Sequence, residues 1–147
     1  MVETSPVDIG GTWHGRLESS WIDPATGNPR KPKTVFLAVR QTSREIQVTL
    51  LTEKQVSSTI VAGLSRSTGS AHLSYIYSTE PTGFAELENS PHHGAGLLHI
   101  SGRPVEMMSG KYWTSRESRG ELILVNRSKT VADSYAAAAR LFDKIGP

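Results

Sequence analysis

Between Gly110 and Arg116, in GKYWTSR, a ring, a hydroxyl and a guanidinium recur at every second position. Successive side chains of a strand point to opposite faces, so Tyr112, Thr114 and Arg116 share one face. Lys111, Trp113 and Ser115 share the other. The first face carries what is needed to stack on a planar heterocycle, donate a hydrogen bond and grip a phosphate. The same residues also fit a purely structural reading. In that reading Tyr112 and Trp113 are core and interface aromatics, and Lys111 and Arg116 are snorkelling rim cations.

Other stretches offer related chemistry. LSYIYS (73–78) places Leu73, Tyr75 and Tyr77 on one face. A buried tyrosine needs a partner for its hydroxyl, so this pair points to a polar pocket or lumen. In GTWHGRLESSW (11–21), Trp13 reads as a plug and Gly15 as the site of a tight bend. Trp21, at a strand end beside a proline-rich loop, is a better ligand candidate. His92, His93 and His99 match no strong zinc spacing, so no metal site is expected. There is no G-x-S-x-G elbow and no P-loop, so neither nucleophilic hydrolysis nor nucleoside triphosphate chemistry has its usual signature. Glu86 and Glu88 read as a solvated loop face.

These residues need a scaffold of strands. The 147 residues fit one domain, large enough to fold without disulfides or metals. With no cysteine there are no thiolate sites. A net charge of +2 without like-charge blocks gives no reason to expect polymeric nucleic acid as a partner. No apolar run approaches the roughly 20 residues of a membrane span, and MVETSPVDIGG lacks the features of a signal peptide.

Short runs rich in Val, Ile, Thr, Leu and Tyr predict strands near 11–22, 34–42, 45–52, 56–65, 70–78, 94–101, 105–116 and 119–126. Residues 1–10 read as a disordered lead, 23–33 as a Gly/Pro loop, and 78–94 as one long loop of the kind that is usually functional or mobile. Eight strands joined mostly by hairpins predict an all-β fold, an antiparallel up-and-down barrel over residues 11–127, closed so that no edge is exposed. VFLAV is apolar on both faces and needs an outer cover. Residues 128–147 supply one as a C-terminal α-helix, with Val131, Tyr135, Ala138, Phe142 and Ile145 at helical spacing and a capping box from Thr130 to Asp133.

Taken in order, GTWHGRLESSW, TVFLAVRQTSREIQVTLLTE, LSYIYS, HHGAGLLHI and GKYWTSRESRGELIL resemble the β-barrel receptor domain of the CD-NTase-associated effectors of CBASS antiphage defence. The resemblance spans about residues 10–127. It implies an eight-stranded barrel that binds a cyclic dinucleotide, or a related cyclic oligonucleotide, made by a partner nucleotidyltransferase. It also implies two preceding transmembrane helices and ligand-driven assembly into a homo-oligomer. Residues 1–147 contain no such helices. The expected localisation is therefore cytoplasmic as given, with inner-membrane association only through an anchor outside this sequence.

Under this resemblance the structural reading of GKYWTSR gives way to the ligand-facing one. Tyr77, Tyr112 and Trp113 become candidates for base stacking, Arg40 and Arg116 for phosphate, and Thr114 and His93 for hydrogen bonds, with Trp21 beside them. The expected role is a receptor, not an enzyme, with no cofactor. Two other classes stay open: a lipocalin-like carrier of a small apolar ligand, and a small cyclic-nucleotide hydrolase using His92 or His93 as base.

Overall fold

A computed structural model describes residues 7–19, 25–28, 31–53, 55–67, 70–81, 92–102, 104–115 and 119–143. The eight strands are β1 (Gly11–Ser19), β2 (Lys33–Gln41), β3 (Ile46–Leu51), β4 (Gln55–Ser67), β5 (Ser70–Pro81), β6 (His92–Ser101), β7 (Met107–Thr114) and β8 (Arg119–Ser128), followed by α1 (Tyr135–Asp143). They form a closed barrel in sequential order. Each strand is antiparallel to the next, and β8 returns to pair with β1. We call the end where β1, β3, β5 and β7 finish the upper end.

Alternation along each strand selects the interior. Val35, Leu37 and Val39 of β2 point inward with Trp13, Val48, Leu73, Leu98, Ile100, Met108, Leu122 and Leu124. The lower end is sealed by the segment before β1. Ile9 is fully buried, and its carbonyl accepts a 3.0 Å hydrogen bond from Trp13 Nε1. Gln41 holds the same segment from the side, accepting from the Ile9 amide at 2.8 Å and donating to the Val7 carbonyl at 2.7 Å. The Arg127 guanidinium lies 5.3 Å from the Trp13 ring centroid and donates to the Gly10 carbonyl and to Asp8. The backbone amide of Gly10, then the charge of Arg127, holds the Asp8 carboxyl below its ordinary pKa.

VFLAV does have two covered faces. Phe36, Ala38 and Leu51 point outward and are buried under α1. Phe36 stacks on Phe142 at 5.6 Å, meets Tyr135 edge-on at 5.2 Å and stacks on His14 at 5.2 Å. Aromatic pairs of this kind contribute about 0.5–1.5 kcal/mol each beyond the area they bury. Buried Thr12 pins the connection, donating to the Thr130 carbonyl and accepting from the Ala132 amide. The helix starts later than the sequence predicts. That tie, through the Thr130 carbonyl, holds Thr130 outside the helix, and the Ser134 hydroxyl accepts from the Ala137 amide as the N-cap instead. Ile145 lies outside the described residues.

Two further differences concern strands. β5 and β6 reach into the stretch predicted as loop, because Ser78 and Thr79 continue the ladder to His93 and His92. β3 and β4 share only the Leu51–Val56 pair among the described residues. Beyond it, hydroxyls replace main-chain pairing. Thr59 Oγ1 both accepts from the Val48 amide and donates to its carbonyl, and Ser57 Oγ accepts from the Leu50 amide. Below this bridge a groove of about 420 Å³ opens between the β2–β3 hairpin and β4.

Candidate functional site

The upper interior on the β4–β8 side is built from tyrosine, threonine, serine and glycine. Register places them in rows. Tyr75, Gly96, Tyr112 and Gly120 are successive cross-strand partners over β5, β6, β7 and β8. One step higher, Thr59, Tyr77, Gly94 and Thr114 form a second row. Above it, Ser57 pairs with Thr79, and both are buried.

Each tyrosine ring lies across a glycine of the neighbouring strand. A Cβ on Gly96 would come within 2.5 Å of Tyr75 Cζ, and one on Gly120 within 2.6 Å of the Tyr112 hydroxyl. A Cβ on Gly94 would strike the Tyr77 hydroxyl. The glycines are therefore required by close approach, since any side chain would occupy space that a ring already fills. Tyr75 and Tyr77 also contact each other, with centroids 5.7 Å apart.

Burial governs the electrostatics here. It pushes the Tyr75 phenol well above its ordinary pKa, and nearby Tyr77 adds to the effect. Burial, with Tyr112 beside it, pushes Tyr77 up to about 12. Both phenols stay neutral at physiological pH, which makes them hydrogen-bond donors and not bases.

The structure brings together some of the candidates and separates others. Tyr77, Tyr112 and Thr114 meet on the upper inner wall. Trp113 lies on the outer face and is 43% exposed. It continues an outer apolar stripe through the cross-strand positions Val61, Ile76 and Ala95. Arg40 is also exposed, because Val39 beside it points inward, and it sits opposite Gln47 near the lower end. His93 is exposed beside inward-facing Gly94; its amide donates to Ser115 Oγ, and its carbonyl accepts from the Ser115 amide. Strand parity thus sets Trp113, Arg40 and His93 on the outer wall. Trp21 and Arg116 lie outside the described residues, as do Glu86 and Glu88.

The sequence reading did not single out Tyr75 as a site residue, nor Thr79, Ser57 or the glycines. A signal for the glycines is present: YIY (75–77) and GAG (94–96) carry matching two-residue periods on strands that pair directly.

The sequence profile of a family described as Cap15, cyclic dinucleotide receptor domain, matches residues 5–126. This chain belongs to that family. The match runs from the plug segment before β1 into β8, so this receptor domain comprises the whole hydroxyl-lined upper wall. The chain is also similar to CD-NTase-associated protein 15 of Staphylococcus schleiferi, at 29% identity over 92 residues. That alignment covers 63% of this chain and 49% of the relative, so the chain spans about half of that protein's length. Among the described residues of this Cap15 receptor domain, no helix is long and apolar enough to cross a membrane.

Proposed function

We propose that the upper inner wall is where this Cap15 receptor domain takes its cyclic dinucleotide. The observation that carries the reading is the set of three tyrosines seated on three glycines at one end of the lumen. A cyclic dinucleotide presents two bases with π faces and edge acceptors, together with two anionic phosphates. Tyr77, Tyr112 and Thr114 offer neutral hydroxyl donors and aromatic rings to the bases. Arg116, two residues beyond Thr114 in sequence, would supply the phosphate contact in bidentate geometry. Stacking on a base contributes about 1–3 kcal/mol, and a hydrogen bond to a charged phosphate about 1.5–3 kcal/mol.

The domain acts as a sensor. The hydroxyl lining argues against an apolar-ligand carrier. The neutral phenols and the outward His93 argue against a hydrolase. The longer protein would be an antiphage effector, with a membrane anchor outside these residues and assembly following ligand capture.

The test is calorimetric titration of the purified chain with a panel of cyclic dinucleotides, followed by chromatography of the ligand after incubation. Tight binding of at least one member, recovered intact, supports the reading. No binding across the panel, or linear product at turnover, overturns it.

A further inference from the structure

His72 of β5 and His99 of β6 are direct cross-strand partners. His72 is half-buried and His99 exposed, both on the outer wall beside inward-facing Leu73 and Leu98. Their rings meet edge to face with centroids 5.1 Å apart. His99 Nδ1 lies 3.4 Å from His72 Nε2. Two nitrogens each about 2.0–2.1 Å from a tetrahedral ion stand about 3.3–3.4 Å apart, so this separation equals the bite of a two-histidine chelate.

We propose that His72 and His99 form a chelating site for a divalent transition-metal ion of the zinc, nickel and copper class. Imidazole nitrogen suits these ions, and Mg²⁺ and Ca²⁺ prefer oxygen ligands. In the metal-free pair one ring donates its N–H to the other. Binding needs the tautomers in which His99 is protonated at Nε2 and His72 at Nδ1, which frees both facing lone pairs. The flanking positions in the same row are Ser65 beside His72 and Ser109 beside His99. These short side chains leave room for water to complete the coordination shell. Among the described residues no group of three or more His, Asp or Glu could hold an ion, so the site is a two-ligand chelate with open positions. It closes a clamp between the strands that carry Tyr75, Tyr77, Gly94 and Gly96 on their other face. The proposal stands independently of how the lumen is used.

The experiment is calorimetric titration of the untagged, EDTA-treated chain with zinc chloride, paired with thermal melting with and without zinc. The expected result is one zinc ion per chain and a melting temperature that rises with zinc. His72→Ala and His99→Ala should each weaken zinc binding by at least the roughly 10- to 100-fold that loss of even an outer-shell partner costs. Each should abolish the zinc-dependent rise in melting while melting close to wild type in EDTA. The double variant should bind no better than either single one, because one lost ligand already breaks the chelate. Wild-type protein without a saturable zinc site would overturn the proposal. So would either single variant that keeps wild-type affinity and stoichiometry.

Discussion

Trp13, Met108 and Leu124 in the lower barrel and Tyr75, Tyr77 and Tyr112 in the upper barrel are all nearly excluded from water. They are excluded by different means. The lower residues interlock with Ile9, Val39, Val48 and Ile100, and the one polar handle among them, Trp13 Nε1, is bonded to the Ile9 carbonyl. The upper residues are covered by being laid on glycine backbone, and each carries a hydroxyl into a wall that also holds Thr114, Thr79 and Ser57. Packing of the first kind maximises stability. The second kind gives up apolar contact for oriented donors, which is worthwhile only where something polar is to be met. One barrel thus divides its interior between an apolar foundation and a hydroxyl-lined wall, the proposed receptor surface.

The largest expected effect comes from breaking the foundation. Trp13→Ala removes a fully buried ring and the bond to Ile9, and should cost about 3–5 kcal/mol of stability. Chemical denaturation would show a lower midpoint. A smaller change would mean that the plug segment, and not Trp13, seals the lower end.

A methyl group in the upper wall should have a moderate effect. Gly96→Ala drives a Cβ into the Tyr75 ring, which must tilt away, at about 1–3 kcal/mol of overpacking. Ligand affinity should fall alongside stability. In the paired variant Gly96→Ala with Tyr75→Leu, melting should recover and affinity should not. Recovery of both would make Tyr75 a packing residue only.

The smallest expected effect sharpens the comparison. Tyr77→Phe keeps the ring and removes the donor, so affinity should weaken by about 0.5–1.5 kcal/mol, roughly two- to twelvefold. It should also alter the alkaline limb of stability. The folded-state pKa of Tyr77 is raised to about 12 against an ordinary value of 10. Its contribution is therefore complete below pH 10 and is lost as pH rises toward 12. Melting temperature against pH should fall less steeply across that window in Tyr77→Phe than in wild type.

Much of this division could be read from the sequence. Short runs rich in Val, Ile, Thr, Leu and Tyr between turn-forming breaks mark the eight strands, the double apolar face of VFLAV calls for an outer cover, and five ordered segments carry the family resemblance. Long-range register could not be read. That YIY would lie against GAG, and that Gly120 would sit under Tyr112, depends on how distant strands align, which composition does not encode. Arg40, Trp113 and His93 were chosen by residue type, and strand alternation turns all three to the outer wall, apart from Tyr77, Tyr112 and Thr114. The helix starts later than its capping signal because Thr12, distant in sequence, binds the Thr130 carbonyl and the Ala132 amide and holds this stretch as a connection outside the helix.

The sequence contains four tyrosines, Tyr75, Tyr77, Tyr112 and Tyr135, which makes one experiment decisive. The first three line the upper lumen, and Tyr135 packs outside the barrel against Phe36. With tyrosine rings isotopically labelled and assigned, a cyclic dinucleotide that binds the chain can be titrated in while ring resonances are followed by NMR. The account predicts that the Tyr77 and Tyr112 signals move in a saturable way while Tyr135 stays in place. A ligand that binds but leaves Tyr77 and Tyr112 unmoved would contradict it.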